Sequence, residues 1–544
     1  MSKQPLEDQA TGVHRAHVWE IGFYSLNNLS TNLYGCLMGS ISYYLVGIVG
    51  IGVVLAGSIV TIMRVWDGVT DPFAGMIVDH TNTKFGKNRP FIVLGNVILF
   101  VTTFLMFNII PRTGTSIRFI LFLVLYMLYI IGYTFQCVVT KSAQTCITND
   151  PKQRPMFAMF DAVGVTVLYS IAYPILLANY LIPTYTITTA ESASEIEAFI
   201  AQNPNLVNQL VTDEETGIST LSGYYNPEMW TFFQLVVAGL AAVCAVLAII
   251  GIARKDNEKY FPATNETSVG IKDYVDVIAH NRAIQMLVVA ASTDKLSSSC
   301  KSNTTVMACL WGVIFGSYAM YSANAAITAV PLLVVSLCLM NKVARYMGQK
   351  KCLVIGTYGC MICGVISIIL IVCGANNGAM SLPSFSLTDP STWASIFTGW
   401  SILGVIWVLN AIMLGSFSNM AGQIVIPMTA DCADYEVYRS GRYVPGLMGT
   451  LFSFVDKLIS SLASTIVALC FATIGYTDTL PTNSSPYSTG ILYVTIFCFV
   501  GMPMLGWICN LIAMKFYPLT KEKMEEIQDD IARIKAEAAA QAKG

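Results

Sequence analysis

Apolar positions dominate long windows of this chain, and short polar, basic segments interrupt them at regular intervals. Windows of at least about 18 apolar residues, enough to cross a roughly 30 Å hydrocarbon core, recur some twelve times. They predict membrane helices over 17–46, 49–78, 90–111, 117–147, 157–184, 230–253, 283–315, 317–341, 352–374, 396–428, 447–474 and 487–514. An even count returns both termini to the same side. The expectation is an all-α membrane protein of twelve transmembrane helices arranged as two six-helix halves.

The interruptions orient the chain. Segments 79–89, 148–156, 254–282, 342–351 and 429–446 are basic, as is the C-terminal tail. Lys and Arg are absent between Arg154 and Arg254, between Lys351 and Arg439, and between Lys457 and Lys515. Short loops rich in Lys and Arg stay on the cytoplasmic side, so both termini are expected there, in the cell membrane. The predicted organisation is an N-terminal half at 1–253, a cytoplasmic linker at 254–282, a C-terminal half at 283–514 and a cytoplasmic helical tail at 515–544. Within the first half, 185–229 carries acids and no base and reads as a solvated outer loop with a short helix. In the tail, Met524, Ile527, Ile531 and Ile534 form one helical stripe, suited to the cytoplasmic face or to packing on the bundle.

Composition narrows the function. Hydrophobic residues make up 54% and charged residues 12% of the 544, about half the charge of a soluble protein, so the natural solvent is lipid. A net charge of −2 argues against nucleic acid as a partner. The 15 cysteines are scattered through apolar runs, without metal-ligand spacing to the four histidines, and read as reduced core residues. Met1 to Arg15 has no short apolar region ahead of a cleavage site, so no cleaved signal peptide is expected. Neither a nucleophile–His–acid set nor a phosphate loop occurs, which argues against an enzyme. A weak internal echo supports two halves: Lys84-Phe85-Gly86-Lys87-Asn88-Arg89 after span two, and Arg345 through Gly348 to Lys351 after span eight, are both basic-glycine-basic turns.

Ionisable groups at membrane depth are costly and mark function. Asp67 and Asp71, four apart on span two, share a helix face. Two carboxylates so close suit a bound cation or a shared proton. Counted along the helices at about 1.5 Å per residue, Asp67, Thr134, Asp294 and Lys457 fall in one layer roughly 15–20 Å from the inner boundary. Asp67 and Lys457 form either a fixed pair or a coupling device in which the lysine takes the place of a departing cation. Lys141 and Asp161, nearer the cytoplasm, are either a salt bridge or a substrate contact. Lys301 lies on the Asp294 face of span seven and points inward, whereas Lys295 does not share that face.

The stretch Arg64-Val65-Trp66-Asp67-Gly68-Val69-Thr70-Asp71-Pro72, continuing through Gly75, Asp79, Thr81 and Lys84 to Gly86-Lys87-Asn88-Arg89-Pro90, resembles the signature of the glycoside-pentoside-hexuronide:cation symporters. These belong to the major facilitator superfamily and include the melibiose and glucuronide carriers. The likeness resumes at Ala430-Asp431 to Tyr435, at Leu451 to Phe454 with Lys457, and at Phe516-Tyr517-Pro518-Leu519-Thr520. It implies a major facilitator fold and a cation site of Asp67, Asp71 and Thr134, with Thr70 where sodium-using melibiose carriers have asparagine. Sodium, if it is the coupling ion, would sit on Asp67 and Asp71. Lys457 matches the family lysine of span eleven. The sugar-binding aspartates fall instead on Leu29, beside Asn27 and Asn28, and on Cys137. The family tryptophan one turn on falls on Lys141, the arginine of span five is replaced by Asp161 and Ala162, and Pro445 stands where an acid is usual.

The reading is a secondary active transporter that couples Na⁺ or H⁺ to symport of a small solute by alternating access, with no further cofactor and a monomer in the bilayer. Coupling is assigned to Lys457 and Asp294. Solute contact is assigned to Asn27, Asn28, Cys137, Lys141, Asp161 and Lys301. Because acids are lost at the sugar positions while Lys141 and Lys301 are present, an anionic solute such as a hexuronide is favoured over a neutral glycoside.

Overall fold

The computed structural model describes residues 7–8, 13–81, 83–148, 153–182, 184–186, 201, 211–212, 219–257, 280–383, 398–440, 445–524, 526–527 and 530. Helix follows helix through these residues. The long rods are α1 (Val18–Gly39), α2 (Val53–His80), α3 (Arg89–Arg112), α4 (Thr115–Ser142), α5 (Arg154–Val167) and α6 (Pro227–Ile252). They continue with α7 (Arg282–Lys301), α8 (Ala319–Met347), α9 (Gln349–Gly374), α10 (Ile402–Ser440), α11 (Pro445–Ala472) and α12 (Thr489–Phe516).

Local chemistry starts several of them. Asn226 accepts from Glu228 N at the head of α6, where Pro227 supplies a preset φ. Asn281 accepts from Ile284 N at the head of α7, and Ser488 from Ile491 N at the head of α12.

Among the described residues, eight helices are long and apolar enough to cross a membrane, and α1 with its continuation Ile41–Val49, bent by 42°, makes a ninth. The other three predicted spans fall short for local reasons. Five-residue π-turns, Leu168–Ala172 and Leu177–Leu181, break up the helix that starts at α5. Asp294, Lys295, Lys301 and their serines make α7 polar. Only Lys457–Ala472 of α11 forms an apolar run. Two helices outrun their predicted ends: α8 reaches Met347 and α10 reaches Ser440, so 429–440 is helix rather than loop.

The surface is apolar where a soluble protein's would be polar. On α2, Ile62, Val65, Val69, Phe73 and Ile77 are all exposed, whereas Asp67 is 1% exposed. An apolar stripe facing out and a carboxylate facing in is the pattern of a helix dissolved in lipid.

The chain divides into two compact units. The first is Met1–Asn265 with Ser386–Trp393 and Phe471–Ser485; the second is Glu266–Phe385 with Ala394–Cys470 and Pro486–Gly544. In the first, α1 packs on α6, α5 and α4, α3 on α4 and α6, and α2 on α4. In the second, α7 packs on α12 and α10, α9 on α10 and α12, and α8 on α10. Adding six to each helix number turns five of the six first-unit pairings into second-unit pairings. The echo of basic turns has the same basis, since Gly86 (φ 100°) and Gly348 (φ 82°) both take the left-handed conformation glycine permits.

Three features depart from the predicted layout. The outer segment contains three short antiparallel strands, β3 (Thr184–Thr186), β5 (Ser219–Ser222) and β4 (Val211–Thr212) in that spatial order; a two-stranded pair, β1 (Glu7–Asp8) and β2 (Val13–His14), precedes α1. Its end is buried rather than solvated. Tyr224 and Tyr225 are fully buried, and Tyr225 Oη donates to Leu480 O at 2.8 Å within the first unit.

The expected linker also begins later than 254. Arg254 forms a bidentate pair with Glu20 at 2.8 and 2.9 Å, and Asp256 is fully buried. In the tail, Ile527 is buried and Met524 packs beside it against the core of the second unit, with Tyr517 and Leu519. Ile531 and Ile534 lie outside the described residues.

Candidate functional site

The motif on α2 puts Arg64, Asp67 and Asp71 on one face, at i, i+3 and i+7. Facing it, Thr134 of α4 is fully buried. The Thr134 hydroxyl lies 3.2 Å from Asp67 Oδ1 and 3.1 Å from the Thr70 hydroxyl, and 2.9 Å from Ile130 O. Thr70 Oγ1 also donates to Asp67 O at 3.0 Å. Trp66 Nε1, donating to Met127 O at 3.4 Å, ties the same two helices together.

Three of the four predicted cation-site residues thus form one hydrogen-bonded group; Asp71 is half-buried one turn further on. A hydroxyl is both donor and acceptor. If Thr134 and Thr70 turn their protons away, their oxygens and the Asp67 carboxylate present an all-oxygen set to a hard cation. A proton on Asp67 would instead keep Thr134 as an acceptor.

Sequence reasoning passed over Arg64 as a functional group. Its Nη1 is 3.9 Å from Asp67 Oδ2, and it borders a pocket of about 80 Å³ with Asp67, Tyr126, Tyr129 and Tyr133. Gly35 and Gly39 of α1 line the other side. The signal was present in the i, i+3 spacing: an arginine one turn ahead of a membrane carboxylate shares its face.

The positions assigned to the solute form a second polar group in the same unit. Asn27 is fully buried and donates from Nδ2 to Thr140 Oγ1 at 2.8 Å. Asn28 of α1 and Asp161 of α5 lie on helices that pack together. Asn32 Nδ2 donates to Asn28 Oδ1 at 3.1 Å, and Tyr169 Oη to Asn32 Oδ1 at 3.3 Å. Asp161 Oδ1 is buried without a hydrogen-bond partner among the described residues. Cys137, half-buried, follows Thr134 by three residues on α4. Lys141 lies in α4, but its side chain is outside the described residues, as is any pairing with Asp161.

In the second unit, Asp294 and Lys301 line one pocket of about 200 Å³ with Ser297, Ser298, Asn419 and Trp507. Lys301 Nζ sits 5.0 Å from the centre of the Phe499 ring, a cation–π contact. Lys295 is exposed, as its place on the helix predicts. Lys457 is half-buried on α11.

The sequence pattern of the MFS/sugar transport protein family matches residues 23–521. The glucuronide carrier protein homolog of Escherichia coli (strain K12) is 22% identical over 93% of this chain and 94% of its own length. The isoprimeverose transporter of Lactiplantibacillus pentosus is 20% identical over 96% of this chain and 94% of its own. Among solved structures, that of the nucleoside transporter NupG covers 92% of this chain and 100% of its own at a TM-score of 0.50 and 9% identity, a likeness that speaks for the fold alone. A family pattern that runs from α1 to the tail, on an all-α scaffold with lipid-facing apolar stripes, places the chain in the MFS/sugar transport protein family: it is a multi-pass membrane transporter of the major facilitator fold, which moves a small solute and is not an enzyme.

Proposed function

We propose that the protein is a cation-coupled symporter of a glycoside or hexuronide, working by alternating access as a monomer in the cell membrane with both termini in the cytoplasm. Its coupling ion is Na⁺ or H⁺, and it needs no other cofactor. The observation that carries the reading is the Thr134 hydroxyl set between Asp67 Oδ1 (3.2 Å) and the Thr70 hydroxyl (3.1 Å) in a fully buried position. A buried carboxylate costs several kcal/mol to keep charged, and hydroxyls gathered around it on two helices serve a group that must exchange its positive partner. Asp71, on the same face of α2, completes the site. Asp294 and Lys457 transmit the ion's arrival in the second unit. The likeness to a glucuronide carrier homolog and an isoprimeverose transporter supports a sugar-derived solute.

Uptake by proteoliposomes tests this. Asp67→Asn should abolish accumulation driven by a sodium or proton gradient while the protein stays folded. Accumulation at the wild-type rate would show that Asp67 is not the coupling carboxylate.

A further inference from the structure

The ion pair between Arg64 and Asp67 is a loose one. At 3.9 Å, the Arg64–Asp67 contact is an ion pair but well outside the 2.7–2.9 Å of a charge-assisted hydrogen bond. The Asp67 side chain is 2% exposed and the Arg64 side chain 51% exposed, so the two ends of the pair sit in different surroundings. The carboxylate faces Thr134 in the helix interface, whereas the guanidinium faces the small pocket. Opposite it stand three tyrosines of α4, with Tyr126 and Tyr129 centroids 5.9 Å apart and Tyr129 and Tyr133 centroids 6.1 Å apart. On α1 the pocket meets Gly35 and Gly39.

We propose that Arg64 recognises the anionic group of the solute, and that the coupling cation releases it to do so by taking its place on Asp67. The proposal rests on the reading of Asp67 as the cation site. A cation bound among Asp67, Thr70 and Thr134 arrives within a few ångströms of a guanidinium already in contact with the same carboxylate. Like charges at that range repel. Arginine has a long stem and a half-exposed head, so the head moves into the pocket, where five planar donors suit a carboxylate two at a time. The tyrosine wall offers ring faces and hydroxyls to the rest of the molecule. The solute class that fits is a sugar acid or another ring that bears a carboxylate.

Cation and solute then bind cooperatively through one side chain, without charge building up in the site. The cation neutralises Asp67, and Arg64 neutralises the solute. Linkage requires the reverse effect as well, so solute must tighten cation binding by the same factor.

Calorimetric binding to the purified full-length protein tests the proposal with a matched pair of probes, an aryl glucuronide and the corresponding neutral aryl glucoside. Each is titrated with and without sodium, at two pH values. In wild type the coupling cation should raise glucuronide affinity about tenfold or more, within the usual span of coupling between sites, and should favour it over the glucoside. Arg64→Gln should lose both effects. With its competitor gone, Arg64→Gln should also bind the cation more tightly than wild type in the absence of solute, a result that a merely structural arginine would not give. Arg64→Lys keeps the charge but not the fork, and should lower glucuronide affinity several-fold. Retention of the glucuronide preference by Arg64→Gln, unchanged affinity in Arg64→Lys, or a wild type that prefers the glucoside would each overturn the proposal. If the cation changes nothing in wild type, or still raises glucuronide affinity in Asp67→Asn, the cation site itself falls, and this proposal with it.

Discussion

The buried carboxylate of Asp256 accepts both the main-chain N–H of Asn88, at 3.1 Å, and its side-chain amide, at 3.0 Å, across 168 residues of sequence. Lys87 N at 3.1 Å and Arg89 N at 2.9 Å donate to the same group. The first turn of α3 is therefore closed by an acid from beyond the end of α6. A negative charge on the unsatisfied N–H groups of a helix start is favourable in itself.

Asp256→Ala should leave those donors buried without an acceptor and cost on the order of 3 kcal/mol, read as a lower unfolding temperature in detergent. Asp256→Asn, which keeps one acceptor oxygen, should cost less. Gly86→Ala should also destabilise, because its left-handed φ of 100° is strained for alanine and a methyl there would run into Asp256.

This clasp was illegible in the sequence, whereas much of the scaffold was not. Hydropathy located the helices because lipid imposes one simple rule on every crossing. It missed the ends of α8 and α10, where helix runs on past the apolar stretch, and in α7 the serines with Asp294 and Lys301 line a pocket. Spacing within α2 and the motif likeness gathered Asp67, Thr70 and Thr134, because helical periodicity fixes which residues share a face. Asp256 gave no such signal: its partners lie on another segment, and nothing local in Lys255-Asp256-Asn257 announces a buried acid. Arg64 was legible by spacing alone, one turn ahead of Asp67 and on the same face of α2.

The Thr134 hydroxyl should be needed for the cation and not for the fold. Thr134→Val preserves shape and removes the oxygen that bridges Asp67 and Thr70. Cation affinity, measured by the ion dependence of uptake, should fall about tenfold, the worth of one hydrogen bond to a charged group. Thr134→Ser should retain most of it. Equal losses in both variants would mean that packing at this position matters, not the hydroxyl.

Asp161 distinguishes a structural acid from a solute contact. One oxygen of its carboxylate is buried without a hydrogen bond among the described residues, an arrangement that costs stability. Asp161→Asn should therefore unfold at or above the wild-type temperature and still lower uptake at least tenfold. Thermal unfolding and uptake of Asp161→Asn check both statements. Wild-type uptake by Asp161→Asn would remove this residue from the solute site.

Lys301 also has a pocket in front of it. Its ammonium rests over the Phe499 ring, and Asp294, two turns earlier on α7, borders the same cavity with Ser297 and Ser298 between them. A ring face stabilises a cation by about 1–2 kcal/mol when desolvated, less than a hydrogen-bonded anion would give. The lysine therefore has reason to exchange the ring for a solute carboxylate or hydroxyl. Lys301→Gln should raise the apparent KM for an anionic solute about tenfold, the loss of one charge-assisted bond, with little change for the matching neutral glycoside. If the KM for both solutes rises equally in Lys301→Gln, the lysine holds the pocket's shape and does not read charge.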